Sequence, residues 1–266
     1  MGTLPRLGLG LLLTPCVVAA AARALPGLAL EPRLASAVAF AGATLFPILS
    51  LAILSTVEIS LAIAAGVAAL SLAALLVSAW VQPSPSATIV VVDFGLVGVA
   101  WALGASLGRR VQHASHLFPA CVVAASADLI SVLSPEGPSH AIAESERALS
   151  VLAVWFPVPG SNAVAPALGV GDLLFMALIF GVARAHALPY PRTIALCAAG
   201  TALAGGAAAW FGVAVPALLP IAAAVLLGLP SIRRLRRSDR SAAVISMLLA
   251  SSFALATIAR SVLSRH

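Results

Sequence analysis

Long apolar runs recur along this chain almost from end to end. Nine of them read as candidate membrane spans, at about 8–29, 33–57, 59–81, 88–108, 114–133, 166–184, 192–212, 216–230 and 241–263. Most approach the roughly 20 residues that a helix needs to cross a bilayer. Short breaks rich in Pro, Gly, Ser or Arg separate them, such as Pro83-Ser84-Pro85. Only 9% of the residues are charged and 61% are hydrophobic, whereas a soluble domain carries about 25% charged residues. Water could not solvate so much apolar surface. The expected fold class is all-α: a polytopic transmembrane helix bundle of about nine spans.

The net charge is +6, and every basic residue is Arg. The arginines stand at the ends of apolar runs, so they read as topology signals and not as a nucleic-acid surface. With the N-terminus inside, ten fall on the cytoplasmic side (Arg6, Arg109, Arg110, Arg184, Arg192, Arg233, Arg234, Arg236, Arg237, Arg240) and five on the other (Arg23, Arg33, Arg147, Arg260, Arg265). That bias makes 231–240 cytoplasmic and places 134–165, the longest polar interval, outside the cytoplasm. The partner expected from composition is the lipid bilayer, with no nucleic acid. Ala- and Arg-rich, Lys-free usage suggests a GC-rich bacterial genome and hence a bacterial cytoplasmic membrane.

Cys16, Cys121 and Cys197 lie in apolar runs without metal-ligand or disulfide spacing and read as buried free thiols. The first span has features of a signal peptide, with Arg6 before a Leu run and Ala20 to Ala22 after it; with eight further spans behind it, it reads as a retained helix. The run Ala198 to Ala209 is rich in small residues that let helices pack closely. No internal repeat is evident.

Acidic residues inside spans are informative, because an Asp at the bilayer centre costs about 2.5–3.5 kcal/mol on insertion scales. Glu58 and Asp93 lie near span ends and read as interfacial. Asp128 and Asp172 fall well inside consecutive spans, with Gly169 and Gly171 positioned to let backbone approach the second. Two carboxyls in contact share a proton. One then acts as base on a water while the other polarises a carbonyl, which needs no metal and no cofactor. From charge placement alone, ion coupling or a polar helix contact serves equally well.

A third segment is Pro216-Ala217-Leu218. Pro216 has no N–H to donate, so it begins or breaks a helix and leaves backbone groups in want of partners. An extended peptide could supply them by strand addition; taken by itself, the Pro is better explained by an ordinary tight turn before a span.

Together these segments resemble the presenilin and signal peptide peptidase family of intramembrane aspartyl proteases. That family carries an Asp in a Tyr-Asp motif, a second in Gly-x-Gly-Asp and a later Pro-Ala-Leu. Here the second motif is Gly169-Val170-Gly171-Asp172 and the third Pro216-Ala217-Leu218, in the same order with one span between. Asp128-Leu-Ile-Ser-Val-Leu-Ser-Pro-Glu-Gly-Pro138 is similar to the presenilin stretch after its first Asp, and the likeness covers about residues 121–230. The resemblance implies a presenilin-like bundle with Asp128 and Asp172 as the catalytic pair. It implies that Gly169, Gly171, Pro216, Ala217 and Leu218 shape the substrate site, and that substrates are single-span membrane proteins or signal peptides. It divides the chain into N-terminal transmembrane helices (1–113), a catalytic transmembrane core (114–230) and a basic loop with an extra C-terminal helix (231–266).

The chain departs from the family in several places. Ala127 stands where the family has Tyr, four spans instead of five precede Asp128, and a span follows the Pro-Ala-Leu helix. The 134–165 interval is short for presenilin-style self-cleavage, and its expected orientation is that of signal peptide peptidase. Rival readings are a prepilin-peptidase-like enzyme, a carboxylate-pair transporter, or an inactive relative that binds helices without cutting them. No His-Glu-x-x-His or Gly-x-Ser-x-Gly occurs, and His113 and His116 at a span end read as interfacial.

Overall fold

A computed structural model of the protein describes residues 3–58, 60–81, 85–134, 137–211, 215–235 and 240–263. Several residues named above lie outside them: Pro83 and Ser84 of the interhelical break, Pro135 and Glu136 of the Pro-Glu-Gly-Pro stretch, and Arg236, Arg237 and Arg265. The elements run α1 (Thr3–Ala24), α2 (Pro32–Ser55), α3 (Leu61–Val81), α4 (Pro85–Ala100), a π-helical turn (Trp101–Ala105) and α5 (Ser106–Arg110). Next come α6 (Leu117–Leu133), α7 (Pro138–Glu144), α8 (Glu146–Leu152), β1 (Ala153–Pro157) and β2 (Val164–Gly169). The last four are α9 (Val170–Ala185), α10 (Tyr190–Phe211), α11 (Leu218–Gly228) and α12 (Arg240–Leu263).

Five helical segments are long and apolar enough to cross a membrane: Thr3–Gly27, Pro32–Ser55, Leu61–Trp80, Ala87–Arg110 and Ala114–Leu133. They coincide with the first five expected spans. Rows of large apolar side chains stay exposed, Leu70, Leu76, Val77 and Trp80 on α3 and Leu248, Leu249 and Phe253 on α12. Such surfaces suit lipid and not water.

The chain folds as two compact units, residues 1–110 with 147–185, and residues 111–146 with 186–266. In the first, α1 packs on α2 and α4, and α9 packs on α2, α4, the π turn and α5. Its core includes Ile48, Leu51, Leu96, Trp101, Leu173, Met176 and Phe180. Small residues set the close approach. Added Cβ atoms at Gly104 and Gly108 would meet the carbonyls of Leu174 and Leu178, and one at Gly181 would meet that of Ala105. Thr14 Oγ1 and Ser50 Oγ share a hydrogen bond of 2.7 Å between α1 and α2. The Arg109 guanidinium donates to the carbonyls of Ser55 and Val57 just past α2, where helical carbonyls lack partners and a cation is favoured.

The first unit also holds a feature absent from the expected all-α class. β1 and β2 form an antiparallel hairpin with Ala153 opposite Gly169 and Pro157 opposite Val164. Its inner residues Val154, Phe156 and Leu168 are buried among the helices. Phe156 stacks on Phe46 with ring centroids 6.2 Å apart, and its ring fills the space left by Gly42. The 158–163 connection turns at Gly160, whose φ of +76° suits a residue without a Cβ. Gly160 N–H donates to the Leu25 carbonyl at 2.9 Å, fixing the tip to the end of α1.

This hairpin corrects the expected span at 166–184. Residues 164–169 are strand, and the helix starts at Val170. Pro166 cannot donate a backbone hydrogen bond and biases Ala165 towards extended backbone, while Gly169 and Gly171 weaken helix propagation.

In the second unit α6 packs on α11 and α12, and α10 packs on α11. Gly200, in the small-residue run expected to be packing surface, lies against the backbone of Ile221. Cys121 and Cys197 are buried, but Cys16 in the first unit is exposed, contrary to expectation.

Candidate functional site

Asp172 sits in the first turn of α9, directly after β2 delivers the chain into the helix. Its Oδ2 accepts the N–H of Gly169 at 3.0 Å. A carboxylate reaching back to the residue before a helix satisfies an amide that the helix leaves unpaired, and it lies at the positive end of the helix dipole. The two glycines beside it are not packed against other elements. A Cβ at Gly171 would meet nothing within 4 Å among the described residues, and one at Gly169 would meet only Asp172 Oδ2, at 3.6 Å. These two glycines are therefore not helix-packing positions, unlike Gly104, Gly108 and Gly181.

Asp128 lies on α6 in the second unit, partly exposed, one residue after the exposed Ala127. Its Oδ2 accepts the N–H of Leu218 at 2.9 Å. Leu218 is the first residue of α11, and the Ala217 cap position offers no side-chain acceptor. Asp128 thus caps α11 from another helix and ties the buried Pro216 and its neighbours to α6. Residues 215–217 are non-helical, as Pro216 led us to expect; Val213 and Ala214, just before them, lie outside the described residues.

The predicted site residues therefore fall into two groups, one in each unit. One holds Asp172, Gly169 and Gly171. The other holds Asp128, Pro216, Ala217 and Leu218. Each aspartate stands at the N-terminal turn of a helix and holds one backbone amide.

Asp93 is a correction. Read as interfacial, it is fully buried on α4. Its Oδ1 accepts the N–H of Trp155 in β1 at 3.1 Å, and its Oδ2 has no partner among the described residues. Glu58 is exposed, as expected of an interfacial residue. His113 and His116 lie at the start of α6 with rings edge to face, 5.5 Å apart. Among the described residues no group of three His, Cys, Asp or Glu is placed to hold a metal ion.

No protein-family model matches the chain, and no curated protein or solved structure is significantly similar to it.

Proposed function

We propose that the protein is an intramembrane aspartyl endopeptidase that hydrolyses peptide bonds in transmembrane segments, with Asp128 and Asp172 as its catalytic pair. The observation that carries this reading is the hydrogen bond from Leu218 to Asp128. It joins two of the three motif segments, 90 residues apart in the chain, through the very residues that the motifs single out. The absence of side chains at Gly169 and Gly171 adds support, because a substrate backbone has to approach the chain beside Asp172 closely.

In the proposed reaction one carboxylate takes a proton from a water, whose oxygen adds to the scissile carbonyl carbon. The other, protonated, donates to the carbonyl oxygen. In the resulting gem-diol a proton passes to the amide nitrogen, the C–N bond breaks, and the products are a carboxyl and an amine terminus. The pair ends with the one shared proton it began with. Activity then follows a bell in pH governed by macroscopic constants of the pair. No metal or cofactor takes part.

A helical peptide bond is shielded and already hydrogen-bonded, so the substrate has to unwind locally. The hairpin offers an extended template next to Asp172 on which an unwound segment can add as a strand. Substrates are single-span membrane proteins or signal peptides. The proposal includes nine spans in a bacterial cytoplasmic membrane with the N-terminus inside, which follows the arginine distribution.

Reconstitution into liposomes with a synthetic single-span peptide tests this reading. Mass spectrometry is expected to find two complementary fragments, formed faster when Gly or Pro loosens the substrate helix. Intact peptide, together with proton flux across the same liposomes, would overturn the reading in favour of a carboxylate-pair transporter.

A further inference from the structure

Asp93 is the least expected group in the first unit. It is wholly buried on α4 between Val92 and residues such as Leu96 and Val97, which are buried to the same degree. An apolar side chain would satisfy that environment without leaving an oxygen unpaired. What the carboxylate supplies, and an apolar residue cannot, is an acceptor for the Trp155 amide.

That amide lies at the weakest place in the hairpin. The register shifts between Val154 and Trp155: Val154 is opposite Leu168, Trp155 is opposite Pro166, and Ala167 is the extra residue. A bulge of this kind interrupts the ladder and re-aims the strand. Trp155 N–H points away from β2 towards α4, so the ladder offers it no acceptor, and Pro166 opposite, which has no N–H, costs the ladder nothing. Among the described residues the sheet has two strands, and the outer edge of β1 has no strand partner. Asp93 provides the missing acceptor from α4, at the bulge itself.

The consequence reaches the candidate site. Two residues beyond Ala167 the chain arrives at Gly169, whose N–H is held by Asp172. A slip of one residue would move this point by roughly 3.3 Å along the strand and turn every side chain to the opposite face. We propose that Asp93 is a positioning residue: by holding the Trp155 amide it fixes the bulge register of the hairpin, and through it the placement of Gly169 and Asp172. Its functional consequence rests on the protease reading; its structural part does not. It touches neither substrate nor reacting atoms.

Asp93→Asn keeps an oxygen acceptor at the same position, whereas Asp93→Leu keeps only the bulk. Two readouts separate the inference from the protease reading. The first is amide hydrogen exchange. In the wild type the Trp155 amide is expected to be protected, although it faces away from β2. Protection over 153–169 is expected to persist in Asp93→Asn and to be lost in Asp93→Leu, with α10 and α11 unchanged. The second is cleavage of the single-span peptide, with Asp172→Asn as the reference for lost chemistry. Asp93→Asn is expected to retain the wild-type rate. Asp93→Leu is expected to lower kcat on the order of tenfold or more with KM little changed, since a 1 Å misplacement can cost about 10²-fold. A rapidly exchanging Trp155 amide in the wild type overturns the inference without any variant. So does an Asp93→Asn protein as impaired as Asp93→Leu, which would make the acid and not the acceptor the essential feature. If the wild type cuts nothing, the protease reading fails and the exchange result still decides the role of Asp93.

Discussion

Asp128 Oδ2 accepts the backbone N–H of Leu218 at 2.9 Å, joining α6 to the first residue of α11. Asn at position 128 would keep an acceptor for this amide, while Leu would leave the donor without one. Asp128→Leu is therefore expected to lower stability by about 1–3 kcal/mol, and Asp128→Asn by much less. Thermal unfolding in detergent measures both. Equal losses in the two variants would mean that the carboxylate charge, and not the tie to Leu218, matters for the fold.

The seat of α9 depends on glycines. A side chain at Gly108 would collide with the Leu178 carbonyl and the Gly181 backbone, neither of which can turn aside as a flexible side chain can. Gly108→Leu is expected to destabilise by about 1–3 kcal/mol or more. Gly66 lies within α3 in open space. Gly66→Ala there is expected to stabilise by about 0.4–1 kcal/mol, because it reduces the freedom of the unfolded chain. Unfolding midpoints of the two variants should move in opposite directions.

Orientation can be read with single cysteines. Ser145 and Ser231 are exposed, one in each of the two loops that the arginine count assigns to opposite sides. The three native cysteines are replaced first, so that only the introduced thiol can react. In intact cells an impermeant maleimide is expected to label Ser145→Cys, and Ser231→Cys only after lysis. The reverse pattern would invert the topology.

The sequence is most informative where its signals are local. The first five spans follow from length and apolarity, and the Asp128–Leu218 contact joins residues that the motifs had already selected. The hairpin was hidden because 166–184 reads as one apolar run. Pro166, with the β-favouring Val154, Trp155 and Phe156 upstream, was the available sign that the run begins as strand. Asp93 was misplaced for a different reason. Its distance from Pro85 suggests nearby water, but the strand that covers it comes from 62 residues further along the chain, and no local pattern announces such burial. Cys16 was misread because an apolar helix buries only one side, and the apolar pattern does not say which residues face lipid.

The central claim is that both aspartates carry the chemistry. Asn at either position preserves shape and an acceptor oxygen for the local amide, but cannot carry the proton that the proposed mechanism requires. Cleavage of a single-span peptide by liposome-reconstituted wild type, Asp128→Asn and Asp172→Asn tests this most directly. The account predicts that each variant folds and loses turnover by on the order of 10²–10⁴-fold, the usual contribution of a general acid or base. Wild-type cleavage by either Asn variant would contradict it.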